Sequence, residues 1–169
     1  MGDGLAAGGF LLATAALTAA LLLACAIGLA IVRRERGEQR RLAAANGWID
    51  RGFGEFGGTH AGVPWSCAPR QDDDSGRAWT EFVASGAVLL SDAVCTEFDT
   101  QNPPAWRDDL TAALWQQALG SSTSLRLAIA PHSLMLLRED GVRRATPQQV
   151  GALVMLGQAC LDRWIARTV

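Results

Sequence analysis

Lysine is absent from all 169 residues, so each of the 15 basic side chains is an arginine. Without an ammonium group, Walker-type phosphate loops, protein kinases and Schiff-base or pyridoxal-phosphate enzymes are excluded. Tyrosine is absent too, and histidine occurs twice. Cys25, Cys67, Cys95 and Cys160 form no C-x-x-C pair, and His60 and His132 stand at no zinc-ligand spacing. Neither C-x-x-C-H for haem nor H-E-x-x-H for zinc occurs. Ser85 lacks the G-x-S-x-G elbow of a hydrolase. A basic field is missing as well: after residue 41 there are 14 Asp or Glu against 10 Arg, which argues against a nucleic-acid partner. The expectation is a non-enzymatic protein with no cofactor, no metal and no catalytic residues.

Charge is absent from residues 9 to 32. At about 1.5 Å per residue these 24 positions outspan a hydrocarbon core of about 30 Å. Eleven are Leu, Ile, Val or Phe, which favours insertion by about −3 to −7 kcal/mol before Gly, Ala and Thr dilute it. A secretory signal needs a basic leader, whereas residues 1 to 8 carry only Asp3, and the apolar run is too long for a signal core. Leu22-Leu23-Ala24-Cys25 approximates a lipidation site, but seven further uncharged residues follow Cys25. One transmembrane helix over 9 to 32 is predicted, behind a short extracytoplasmic stretch, 1 to 8.

Arg33, Arg34, Arg36, Arg40 and Arg41 follow this span and no basic residue precedes it. The positive-inside rule then puts the N-terminus outside and the remainder in the cytoplasm, at a bacterial inner membrane. These arginines can meet lipid headgroups, at about 1 kcal/mol each near an anionic surface, or the acidic face of a partner. Residues 33 to 47 read as a basic juxtamembrane helix that stops at Asn46-Gly47. Within the span, Ala16, Ala20, Ala24 and Gly28 recur every four residues and line one stripe on which a second helix can pack closely. The span holds no ionisable side chain for a proton relay, ion site or haem.

The remainder is long enough to bury a core. Runs of hairpin signals without a βαβ rhythm predict an α+β domain over 48 to 169, an antiparallel sheet covered by two helices. Gly52-Phe53-Gly54-Glu55-Phe56-Gly57 has the spacing of a pyrophosphate loop, yet Gly58, Gly62 and Pro64 forbid the helix that must follow. It reads instead as a glycine-punctuated strand. A hairpin bend follows over 59 to 65, with Pro64 at an edge or a strand start. Asp72, Asp73 and Asp74 are consecutive and do not reproduce calcium-loop spacing. Strands are expected over 77 to 84, 87 to 91 and 94 to 98.

Asn102-Pro103-Pro104 and Gly120 bracket a helix whose expected buried stripe is Trp106, Leu110, Ala113, Leu114 and Ala118. Leu125, Leu127 and Ile129 alternate as a strand, Pro131-His132-Ser133 turns the chain, and Leu134 to Arg138 returns beside it. Thr146-Pro147-Gln148-Gln149 opens the last helix. Its main stripe is Val150, Leu153, Val154, Gly157, Leu161 and Trp164. Met155, Leu156, Ala159 and Cys160 fall off that stripe and predict a second covered face, with a partner or the bilayer as its cover. Trp48 and Trp65, with Met155 and Leu156, mark a candidate domain interface.

These features lead to a single-pass accessory or assembly subunit that stabilises a larger membrane complex, of a respiratory or photosynthetic kind, its partners being integral membrane protein subunits. The alternative is a membrane-tethered domain that binds or senses a small ligand in an apolar cavity near His60 or His132.

Overall fold

The computed structural model describes residues 3–72, 74–86, 96–99, 109–120, 122, 124–130, 132–141 and 145–165, the side chains of 3–15, 96–98, 109–110 and 164–165 excepted. Helix α1 (Asp3–Asn46) runs without a break through the uncharged stretch and the arginine cluster. It is long and apolar enough to cross a membrane, with a mean hydropathy of 2.2 over its most apolar stretch and none of that stretch buried. The chain divides into two compact units, Met1–Gly37 and Glu38–Val169. The folded domain therefore begins at Glu38, ten residues before the boundary expected at 48.

The last turns of α1 explain that shift. Gln39 and Ala43 are buried within the domain, and Leu42 packs against its core. Gly47 follows Asn46 at a φ of 68°, and the Trp48 N–H donates to the Ala43 carbonyl at 2.9 Å. This is a helix stop in which the left-handed residue lets the chain fold back onto its own last turn, and the apolar contact that accompanies it is Ala43 with Trp48.

Among the described residues seven strands follow: β1 (Ile49–Gly52), β2 (Glu55–His60), β3 (Val63–Gln71), β4 (Ala78–Ser85), β5 (Thr96–Phe98), β6 (Leu125–Ala130) and β7 (Ser133–Gly141). Their order is β1-β2-β3-β4-β7-β6-β5, and every neighbouring pair is antiparallel. With α2 (Asp109–Leu119) and α3 (Pro147–Ile165), this is an α+β domain behind one long apolar helix. The strand expected at 87 to 91 and residues 94 and 95 lie outside the described residues.

Alternation builds the sheet's inner face. Phe56, Cys67, Phe82, Leu136 and Leu127 stand side by side across five strands, and each is fully buried. Pro64 is the second residue of β3, where pairing runs only to Thr59 of β2; pairing with β4 begins one residue later, at Trp65. The missing N–H thus falls where the ladder asks for none on that side. The bend before it uses Ala61 and Gly62, both at positive φ, as a tight two-residue hairpin turn requires.

Helix α3 starts as expected. The Gln149 N–H donates to Thr146 Oγ1 at 3.3 Å, and the Thr146 N–H donates back to Gln149 Oε1 at 2.9 Å. Its second apolar face is covered by the chain itself, not by a partner or a bilayer. Leu156, Ala152 and Cys160 are buried, Gly151 lies against Leu42 of α1, and Gly157 lies against the Phe82 ring. In α2 the buried stripe is Thr111, Leu114, Trp115 and Ala118, with Leu114 partly buried, while Ala113 is exposed. Of the expected stripe Leu114 and Ala118 are on the covered side and Ala113 is not, Thr111 and Trp115 taking its place; the side chains of Trp106 and Leu110 lie outside the described residues.

Trp48 and Trp65 belong to the core and not to an interface, with 8% and 4% exposure. Trp48 meets Phe56 and Trp65 edge-on, at ring separations of 5.6 and 5.9 Å, and Trp65 stacks on Phe82 at 5.6 Å. Gly58 makes room for this row, because a Cβ there would stand 2.9 Å from the Trp65 ring. The glycine run that resembles a phosphate loop in spacing serves a turn and a tryptophan.

Candidate functional site

Helices α2, α3 and the end of α1 meet one face of the sheet: Gly157 of α3 at Phe82, Ala118 of α2 at Arg138, and Gln39 of α1 at Asp50. On the opposite face the same alternation places Trp79, Val83, Met135 and Leu137, all half-buried. Among the described residues no helix packs there. Two ion pairs flank these apolar side chains, Arg70 Nε to Glu81 Oε1 at 2.7 Å and Arg126 Nη2 to Glu139 Oε1 at 3.6 Å.

Beside the β3–β4 turn this face carries a concavity of about 730 Å³, open to solvent, with Trp79 and Leu137 in its wall and Arg77, Arg126, Glu139 and Asp72 around them. Asp72 is engaged in shaping the turn. Its carboxylate accepts from Ser75 Oγ at 2.5 Å and from the Asp74 N–H at 3.2 Å, which holds it below the ordinary carboxylate range. The volume and the mix of aromatic, aliphatic and charged groups suit a small ligand with an apolar body and a polar edge.

A second polar group lies inside. Arg138, 2% exposed, pairs through Nη1 with Asp140 Oδ1 and donates from Nε to the Ala118 carbonyl at 2.8 Å. Thr80 Oγ1 donates to Asp140 Oδ2 at 2.7 Å. Burial pushes the Arg138 guanidinium below its ordinary pKa. This cluster fastens a carbonyl of the last turn of α2, which has no partner within its own helix, to β7.

The residues singled out in the sequence divide between surface and interior. Ala16, Ala20, Ala24 and Gly28 are exposed on α1, as are Arg33, Arg34, Arg36, Arg40 and Arg41. Met155 is half-buried against the core and Leu156 is inside it. Neither histidine lines the concavity. His60 Nε2 meets Asp162 Oδ1 at 2.7 Å, joining the end of β2 to α3, and His132 is exposed in the β6–β7 turn. Ser85 pairs across the ladder with Ser133, and among the described residues no hydrogen bond joins it to a histidine. Cys67 and Cys160 are buried, and burial, then Glu81 and Glu55, push the Cys67 thiol up. Cys67 is therefore held protonated in the core, a poor nucleophile. Among the described residues no group of three His, Cys, Asp or Glu could hold a metal ion.

Sequence reasoning missed the Arg138–Asp140 cluster and Trp79. The signal for the first was present: Leu134, Leu136, Arg138 and Asp140 continue one period-2 face, so a strand carried past Arg138 points both charges inward. Comparison with protein-family models, with curated proteins and with solved structures gives no match to this chain.

Proposed function

We propose that this chain is a single-pass, non-enzymatic accessory or assembly subunit that stabilises a larger membrane complex. The observation that carries this reading is the exposure of the apolar part of α1, where Leu17, Leu21, Leu22 and Leu23 are 58 to 72% exposed. The stripe of Ala16, Ala20, Ala24 and Gly28 supports contact with helices of integral membrane subunits, since small residues let backbones approach. The half-buried apolar side chains of the free sheet face offer the domain a second place of contact. The arginines after the span support an N-terminus outside and a domain in the cytoplasm of a bacterial cell. Cysteines placed near Asp3 and in the Asp72 turn test that orientation: an impermeant reagent outside the cell labels the first alone.

Purification in mild detergent followed by native mass spectrometry tests the assembly. The expected result is co-purifying membrane subunits, lost when Ala20 and Ala24 are both replaced by leucine, while insertion persists because leucine is the more favourable residue in lipid. A monodisperse monomer overturns the reading. The concavity beside Trp79 supports a second reading, a tethered ligand-binding domain. The same spectra then show a monomer that keeps a small-molecule mass, removed by Leu137→Arg.

A further inference from the structure

The concavity on the free sheet face has hydrogen-bond donors to spare, and its acceptors are engaged. Trp79 of β4 stands opposite Glu139 of β7, and Leu137, two residues back on β7, stands opposite Arg126 of β6. The indole and the leucine are thus diagonal neighbours on one face and form an apolar wall of the concavity. Trp79 is half-buried, and among the described residues no acceptor meets its indole N–H.

Arg77, at the end of the β3–β4 turn, is fixed by its backbone. Its carbonyl accepts from the Asp72 N–H at 2.9 Å, and its own N–H donates to Ser75 Oγ at 3.3 Å. Its guanidinium is exposed and has neither a hydrogen bond nor an ion pair among the described residues. The Asp72 carboxylate, by contrast, is taken by the Ser75 hydroxyl and the Asp74 N–H. Glu139 faces Arg126 at 3.6 Å, an ion pair too long for a hydrogen bond, with both side chains well exposed.

These groups discriminate between ligand charges. An ammonium would have to compete with Arg126 for Glu139, and it would meet Arg77 as a like charge. A carboxylate meets in Arg77 a planar fork of unused donors that it can accept from bidentately, and the loosely held Arg126 adds charge of the favourable sign. A flat apolar body stacks on Trp79 beside Leu137. A volume of about 730 Å³ is that of a site for a small organic molecule. We propose that this concavity binds an aromatic monocarboxylic acid, with its carboxylate on Arg77 and its ring against Trp79 and Leu137. The proposal rests on the second reading of the function, a tethered ligand-binding domain, and adds the class of the ligand.

The test uses the full chain in a zwitterionic detergent, with its six tryptophans ¹⁵N-labelled. Trp79→Phe assigns the Trp79 indole signal. The chain is titrated with 2-naphthoate and with its neutral counterpart 2-naphthamide, each referred to the free concentration found by dialysis. Naphthoate should shift the Trp79 signal saturably and bind about tenfold or more tighter than the amide, and Arg77→Gln should abolish that preference while the other five indole signals keep their positions. Equal binding of acid and amide overturns the proposal and leaves the ligand-binding reading standing, since the concavity then takes apolar bodies without regard to charge. A preference that survives Arg77→Gln overturns the assignment of the carboxylate to Arg77. A uniform drift of all six signals shows partitioning without a site, and no shift at Trp79 with either compound shows no binding; each overturns the proposal. The ligand-binding reading falls as well only if the native mass spectra retain no small-molecule mass.

Discussion

Strand β7 carries two ion pairs on opposite faces of one sheet, and they differ in nearly everything except charge. Arg138 and Asp140 face the helices with side chains 2% and 1% exposed; Arg126 of β6 and Glu139 face away with side chains 62% and 44% exposed. Outside, water does most of the solvating and the pair contributes little. Inside, each charge has lost its water, so the partner, the Ala118 carbonyl and the Thr80 hydroxyl replace it. A buried pair is weak evidence for net stability, yet removing one half of it is severe.

The largest expected effect follows directly. Arg138→Met should cost about 3–5 kcal/mol in chemical denaturation of the detergent-solubilised chain, because Asp140 is left charged and buried. Adding Asp140→Leu should recover most of that loss; a double variant as unstable as the single would mean that packing, not charge, sets the cost. Alkylation of Cys67 supplies an independent readout, since a buried, protonated thiol reacts only as the core opens.

Next comes Gly157→Ala, whose new Cβ would lie 2.4 Å from the Phe82 ring. Overpacking at that contact should cost about 1–3 kcal/mol. The matched control is Gly37→Ala, where nothing stands within 4 Å, and which should be neutral or stabilising by up to about 1 kcal/mol. Equal effects at the two glycines would erase the distinction between the part of α1 before Glu38 and the packed helix α3. A smaller loss, about 1 kcal/mol, is expected for Thr146→Ala, which removes one half of the reciprocal cap on α3. The smallest is Arg126→Ala, within about 0.5 kcal/mol. A larger loss there would show that the free face is covered in the folded protein.

Local rules made the strands, turns and helix starts legible. Leu125, Leu127 and Ile129 alternate, and Thr146 to Gln149 spells out its own cap. Phase and partnership were less legible. Ala113 and Trp115 are both compatible with a buried stripe on an alanine-rich helix, and the packing of α2 on α3 decides between them. Met155, Leu156 and Cys160 announced a covered face but not its cover, because Leu42 lies more than a hundred residues away in the chain. Gln39 gave no signal at all: one amide among Glu, Gln and Arg on a polar helix looks solvated until the β1–β2 turn closes on it. The strand expected over Leu134 to Arg138 runs on to Gly141, and no local signal short of that extension marks Asp140 as buried. The concavity is tertiary in origin, since Asp72, Trp79, Arg126 and Leu137 converge from separate segments.

The central seam of the sheet also dictates a sequence of events in time. β4 ends at Ser85 and its partner β7 begins at Ser133, so 47 residues must be made before the two halves can join. At about 5–20 residues per second that is roughly 2–10 s of synthesis, longer still before α3 arrives to cover Phe82. During that interval the first four strands form a meander in which β4 is a second open edge beside β1, with a bare aromatic face, a form of nascent chain prone to pair with another copy of itself.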